Sequence, residues 1–380
     1  MNIAIISLPF RYNYGHHLQA YALTKSLERL GHHITYIDQE YHRSQKWWRY
    51  PFCFLKRFYL KYITGDNKQE IFIERRLNKE HQIISTHLRA FRNQHLPNRL
   101  NVKNFHKDIK DGMFDAIVVG SDQVWRLGSF DWVFQTDISN AYLAFASKWS
   151  IKRVAYAASF GLDKWMYDSE QTQKCSELVK KFNGISVREL SAVHLCKDYL
   201  HVNAELVLDP TMLLEKKDYL KLIRYHETVP APDKLMTYIL DDNEYTKRFI
   251  SSVATELKLV PFAANSRVED EKAPLIERIQ PPIEQWIRFI DDSEFVITDS
   301  FHGTVFCIIF NKPFLTLTNH DRGLSRLNSL LQLFGLEDRL INPSIKRVTQ
   351  PKEINWQQVN EKRNKLKQKS LSFIDKSLNQ

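Results

Sequence analysis

The chain alternates short, uninterrupted apolar runs with longer segments of helical period, and each run stops at a polar turn. Between Asn2 and Ser7 the residues are Ile-Ala-Ile-Ile, with no polar side chain interleaved. A strand with one wet face would alternate. A strand buried on both faces need not, and that is the condition of a parallel sheet covered by helices. From His16 to Leu30 the residues Leu18, Tyr21, Ala22, Leu23, Leu27 and Leu30 recur at helical spacing, and Gly31 stands where a C-cap glycine would. Ile34-Thr-Tyr-Ile37 then begins a second strand ending at Asp38, which completes one βαβ unit of Rossmann type.

Ala116–Val119, leading into Gly120-Ser-Asp122, and Arg153–Ala157, leading into Ser159-Phe-Gly161, extend that sheet. Gly184–Val187, Glu205–Leu208, Leu235–Leu240, Phe295–Thr298 and Pro313–Leu317 repeat the grammar and read as a second doubly wound sheet. A length of 380 residues exceeds what one core usually holds. The expectation is therefore two Rossmann-like α/β domains of parallel sheet, residues 1–165 and 166–380, with the polar stretch Asp168–Lys181 as the join. A Lys-rich, helix-like segment from Trp356 to Leu378 is free to pack across either domain. In open sheets of this kind ligands sit at the C-terminal ends of the strands.

The formal charge of +10 comes without any nucleic-acid motif, so it points to anionic small molecules, phosphates and acidic glycans among them, or to an anionic lipid surface. Cysteines at 53, 175, 196 and 307 are too scattered for a disulfide framework or a CxxC metal site and read as reduced thiols. The adjacent pairs His16-His17 and His32-His33 do not present two metal ligands to one helix face, so no metal and no cofactor is expected. Met1–Pro9 has no basic n-region, and no apolar stretch reaches the ~20 residues of a membrane span. The expectation is a cytoplasmic protein. Residues 46–62 interleave rings with cations, as a segment lying in an anionic bilayer interface would; an amphipathic helix covering the first sheet would read the same way.

Four turns carry chemistry. Thr298-Asp-Ser-Phe-His-Gly303 lies between a strand and an apolar helix. Ser300, His302 and the amide of Gly303 thus stand at a helix N-terminus, which suits a phosphate or carboxylate; a capped helix start with an incidental histidine has the same pattern. Ser186-Val-Arg188-Glu189 brings a planar guanidinium to a strand end, as phosphate binding requires and as a plain Arg-Glu ion pair also would. In Gly120-Ser-Asp-Gln-Val-Trp125, Asp122 is placed as an N-cap or a base, with Trp125 one turn on as a platform for a sugar. Tyr12-Asn-Tyr-Gly-His-His-Leu-Gln19 has a glycine turn with His16, His17 and Gln19 beside it, but neither the dinucleotide nor the P-loop glycine pattern.

Taken in order, these pieces resemble the polysaccharide pyruvyl transferase family. The resemblance rests on residues 13–23, 114–125, Tyr156-Ala-Ala-Ser-Phe-Gly161, Ile185-Ser-Val-Arg-Glu189, Leu208-Asp-Pro-Thr211 and Thr298-Asp-Ser-Phe-His-Gly-Thr304, and it spans roughly residues 2–340. It implies two Rossmann-like domains arranged as in a GT-B glycosyltransferase, with phosphoenolpyruvate as donor, a pair of sugar hydroxyls as acceptor, and a pyruvate ketal and phosphate as products. Carried across, His302 and Arg188 contact the donor, and the Gly120–Trp125 loop faces the acceptor. Several members carry an arginine ahead of the histidine, in Ser-Arg-Leu-His-Gly style, where this chain reads Ser300-Phe301; Arg322 or Arg326 is the candidate replacement.

The resulting assignment makes His302 the acid and Asp122 the base. Arg188, Ser300, Gly303, Arg322 and Arg326 lie on the donor side; Asn13, Tyr14, Gly15, His16, Gln19, Ser121 and Trp125 lie on the acceptor side. The expected acceptor is a glycan or a lipid-linked oligosaccharide. The rivals are a nucleotide-sugar glycosyltransferase, which shares the architecture, and a non-catalytic glycan-binding protein.

Overall fold

A computed structural model describes residues 1–40, 50–65, 70–268, 270–318, 324–344 and 352–379. Seven strands form the first sheet: β1 (Asn2–Ile6), β2 (His33–Asp38), β3 (Arg99–Asn101), β4 (Ala116–Val119), β5 (Lys152–Ala158), β6 (Gly184–Val187) and β7 (Glu205–Leu206). Their order is β3-β2-β1-β4-β5-β6-β7, and every neighbouring pair is parallel. The second sheet holds β8 (Leu235–Tyr238), β9 (Pro261–Ala263), β10 (Phe295–Thr298), β11 (Phe314–Leu317) and β12 (Leu340–Ile341), ordered β12-β11-β10-β8-β9 and again parallel throughout. Both sheets are doubly wound, so the α/β architecture of two parallel sheets expected from the sequence is the one observed.

The division of strands differs from expectation. Gly184–Val187 pairs with β5 through Val154↔Gly184 and Ala155↔Ile185, and Glu205–Leu206 pairs in turn with β6, so both belong to the first sheet. Apolar runs buried on both faces reveal that a strand exists but not which strand it joins, and for that reason the expected split after residue 165 is too early. The chain crosses to the second sheet only after β7, through the short helices Pro210–Leu213 and Lys216–Leu220. It then returns: the helix Trp356–Asn379 lays Phe373, Ile374 and Leu378 against Ile3, Val154 and Tyr156 of the first sheet. Gly184 makes this approach possible, because a Cβ there would lie 2.0 Å from Ser377 Oγ.

The apolar side chains of the helix Tyr14–Arg29 explain how the domains adhere. Tyr14, Leu18 and Tyr21 join Trp286, Phe306 and Met236 of the second domain in one continuous core, and the Tyr14 hydroxyl donates to the Pro281 carbonyl at 2.9 Å. All ten residues of the helix Phe301–Phe310 are buried: the apolar run Val305–Phe310 packs on every side, and His302 and Thr304 are buried with it. The helix Tyr50–Tyr62 has no buried residue, so it does not cover the first sheet; residues 46–49 of the ring-rich stretch lie outside the described residues. All four cysteines are free thiols, and among the described residues no helix is long and apolar enough to cross a membrane.

Candidate functional site

In doubly wound sheets the ligand crevice opens where the strand order reverses. That point lies between β1 and β4 in the first sheet and between β8 and β10 in the second. The segments leaving β1, β4 and β10 meet there, joined by those leaving β6 and β7.

After β1, Asn13 caps the helix Tyr14–Arg29 by accepting from the His16 amide at 3.4 Å, which settles Asn13 as a capping residue. The buried His16 ring then bridges the turn after β4 and strand β2: Nδ1 lies 3.1 Å from Asp122 Oδ2, and Nε2 lies 3.3 Å from the Tyr36 hydroxyl. After β4 the backbone must pass under β5. Gly120 has φ 127°, and a Cβ there would sit 2.1 Å from the Tyr156 carbonyl, so no other residue fits. Asp122 follows at φ 68° in the left-handed region, and no helix starts at it; it is not an N-cap.

Arg188 stands at the end of β6, buried. Its Nη2 donates to Asp122 Oδ1 at 3.0 Å, its Nη1 donates to Asp209 Oδ2 at 2.9 Å, and its Nε lies 3.8 Å from Glu189. The Glu189 carboxylate in turn accepts from the Phe160 amide at 3.1 Å. Asp209, just past β7, also accepts from Gln19 Nε2 at 2.5 Å and from Thr211 Oγ1 at 2.6 Å. Burial pushes the Asp122 carboxyl up, but the hydrogen bond from His16 and the charge of Arg188 outweigh it and hold the group well below the usual carboxylate range. For Asp209 burial is likewise outweighed, here by His302, Arg188 and Thr211, and its acidity is also raised. Burial disfavours the Arg188 cation, yet Asp122, Asp209 and Glu189 more than restore it.

His302 enters from the second domain. Thr298 Oγ1 donates to the Tyr238 carbonyl at 2.7 Å, and the Asp299 carboxylate accepts the Leu240 and Asp241 amides at 2.8 and 3.0 Å. Ser300 Oγ accepts from the Gly303 amide at 3.3 Å, and a Cβ on Gly303 would meet Thr298 Oγ1 at 2.3 Å. Thr298, Asp299, Ser300 and Gly303 are thus spent on fixing the turn, and His302 is aimed by it. The His302 ring lies on Gly15 of the first domain, where a Cβ would fall 2.0 Å from Nδ1, and its Nε2 is 3.8 Å from Asp209 Oδ2. That distance suits an ion pair with a protonated ring and is too long for a hydrogen bond. Phe301 carries Arg188 at 5.0 Å and Arg326 at 5.7 Å from its ring centroid. Burial first, then repulsion by Arg188, brings Arg326 down to about 10. A bound anion would relieve that repulsion.

The structure therefore gathers His302, Arg188, Asp122, His16, Gln19 and Gly15 at one place, with Arg326 across Phe301; Arg322 lies outside the described residues. Other expected contacts are not made. Trp125 is fully buried, stacked on Tyr142 at 4.9 Å and backed by Phe160, with its indole N–H donating to Ala141. It is core, and no sugar can reach its face. Tyr14 is likewise core, and the Ser121 carbonyl accepts from the Ser7 hydroxyl at 2.9 Å. His17 faces the Asn13 carbonyl, and burial takes it down to about 3, so it stays neutral. Asp209, part of the Leu208–Thr211 motif but given no site role from the sequence, follows an apolar run at the same kind of strand end as Arg188. Among the described residues, Gln19 Oε1 and His302 Nε2 are buried without a protein hydrogen-bond partner, and no cluster of three metal-ligating side chains occurs.

The arrangement sets a guanidinium from the first domain and an imidazole from the second against the buried Asp209 carboxylate, with Asp122 on the far side of Arg188. The model of the polysaccharide pyruvyl transferase family matches residues 13–321. No curated protein matches significantly. Among solved structures, the chain is similar to UDP-GlcNAc 2-epimerase of Methanocaldococcus jannaschii (TM-score 0.45, 13% identity, 95% of this chain and 91% of that one). It is also similar to a glycosyltransferase of Rickettsia africae (TM-score 0.45, 8% identity, 100% and 96%). UGT2 of Phytolacca americana gives a TM-score of 0.46 at 11% identity, with 100% of both chains covered.

Proposed function

The chain belongs to the polysaccharide pyruvyl transferase family, and from that premise we propose that it transfers the pyruvyl group of phosphoenolpyruvate to a pair of sugar hydroxyls as a ketal, in the biosynthesis of a surface polysaccharide. The observation that carries the proposal is the convergence of Arg188 and His302, from opposite domains, on the Asp209 carboxylate. A phosphate entering there would compete with Asp122 and Asp209 for Arg188, and a second guanidinium, Arg326, lies on the same Phe301 ring.

Arg188 holds the phosphate, and His302 delivers a proton to the methylene carbon or to the departing phosphate oxygen. One sugar hydroxyl adds to the carbon bearing the phosphate, the carbon–oxygen bond to phosphate breaks, and the second hydroxyl closes the ketal. Two hydroxyl protons are released; one balances the proton given to carbon, and the other leaves with phosphate. Asp122, with His16 at 3.1 Å, is the proposed acceptor of the first. With Arg188 bound to it the carboxylate is a weak base. A donor phosphate that draws on Arg188 would raise its basicity as the reaction begins.

Peripheral work at the inner face of the cytoplasmic membrane and an acceptor carried on a lipid are part of the same reading. Incubation with phosphoenolpyruvate and candidate glycans, followed by phosphate assay and mass spectrometry, tests it: phosphate release with the gain of a ketal is expected. Release of a nucleoside diphosphate from a nucleotide sugar, with phosphoenolpyruvate inert, would replace it by the glycosyltransferase reading.

A further inference from the structure

Between Glu40 and Asp66 the sequence contains six Lys and Arg residues and no Asp or Glu. The described part of this segment is the helix Tyr50–Tyr62, inserted after the C-terminal end of β2, the sheet edge that also carries Asp122 and Arg188. Phe52, Leu55, Tyr59 and Tyr62 recur at the i, i+3, i+7, i+10 spacing that in a globular protein marks the face turned to the core. Here that stripe faces outward: the four residues are 71%, 62%, 55% and 60% exposed. The opposite side holds the helix in place, because the Arg57 guanidinium donates to both Glu74 oxygens at 2.7 and 2.8 Å and to the Ile71 carbonyl, and Phe54 packs on Phe72. The apolar stripe is thus presented by a tether and is not the result of a helix left loose.

We propose that this helix docks the enzyme on an anionic lipid bilayer, with Phe52, Leu55, Tyr59 and Tyr62 in the interface and Lys56 and Lys61 on the headgroups. The occupant is argued from charge and length. A second copy would bring two acid-free cationic segments together, and a stripe of three turns is too short for a self-sufficient helical zipper. Lipid headgroups supply the missing negative charge, and rings interleaved with cations are the composition of an interfacial helix. The inference stands apart from the assigned chemistry, since none of these residues belongs to the site around Arg188.

Vesicle co-sedimentation of the full chain tests it. The protein is expected to pellet with phosphatidylcholine–phosphatidylglycerol vesicles at low salt, to stay in solution with phosphatidylcholine alone, and to be released as salt screens the headgroups. The triple variant Phe52→Glu, Leu55→Glu, Tyr59→Glu should lose about tenfold or more in vesicle affinity, with an unchanged melting temperature because the three side chains are exposed. Lys56→Glu combined with Lys61→Glu should weaken binding in anionic vesicles only. Failure of the wild type to pellet with anionic vesicles, equal binding to neutral ones, or a wild-type dimer that the triple variant dissolves would each overturn the proposal. A vesicle-binding protein that releases no phosphate from phosphoenolpyruvate would leave the docking intact and remove the donor.

Discussion

A methyl group at position 15 would occupy the place of the His302 imidazole. Gly15 is the second residue of its helix, with no backbone conformation that demands glycine, so Gly15→Ala should fold and displace the ring at an overpacking cost of ~1 to 3 kcal/mol. Its kcat is expected to fall about 10²-fold with only a modest drop in melting temperature, measured by phosphate release and circular dichroism. His302→Ala should cost ~10² to 10⁴ in kcat, and wild-type turnover in the purified variant would remove the imidazole from the chemistry. Arg188 differs from both, because Asp122, Asp209 and Glu189 depend on it. Arg188→Ala leaves buried carboxylates unpaired and is expected to lower stability by ~3 to 5 kcal/mol in urea titrations. Arg188→Lys keeps the charge but cannot span two carboxylates as a planar fork does, so it should fold and bind phosphoenolpyruvate more weakly.

At the scale of elements, strand-end motifs were the legible part of the sequence. A run such as Ala116–Val119 followed by Gly120 announces a buried strand and its turn, and the side chains just beyond such runs, Asp122, Arg188 and His302, did come together. Partner choice was not legible: nothing in Gly184-Ile-Ser-Val187 tells β5 from β8 as its neighbour, because both faces of either sheet are apolar. Nor was the fate of Trp125, since an aromatic one turn past an acidic residue looks the same whether it faces solvent or Tyr142. The short edge strands β3, β9 and β12, of three, three and two residues, fall below any periodicity. The packing of helix Trp356–Asn379 on β6 yields an element-scale prediction. Gly184→Val should push Ser377 and Phe373 away, and the loosened helix would show as faster amide exchange over 356–379.

For the whole molecule, acid is the expected destabiliser, in two stages. His17 titrates near 6.5 in the unfolded chain and only at about 3 in the fold, because burial excludes its charge, so the unfolded state binds more protons between those values. The stability it contributes is complete above pH ~6.5 and falls by ~1.4 kcal/mol per unit as the pH drops toward 3. His81 and His95, each taken down to about 4 chiefly by burial, act with the same sign over part of that range. Asp122 and Asp209, depressed in the fold, add a second loss below pH ~4. Melting temperature against pH should therefore bend twice, and His17→Gln should flatten the first decline without abolishing it. A curve level from pH 7 to 5 would show that His17 is charged in the folded protein.

The return of the chain from the second domain to the first also sets the order of assembly on the ribosome. One face of the first sheet exposes Ile3, Val154 and Tyr156 until the 24-residue helix Trp356–Asn379 has been synthesised, and that happens only after the whole second domain has emerged. The first domain is therefore started first and finished last, and a chain that stops before residue 356 lacks the helix that covers that face.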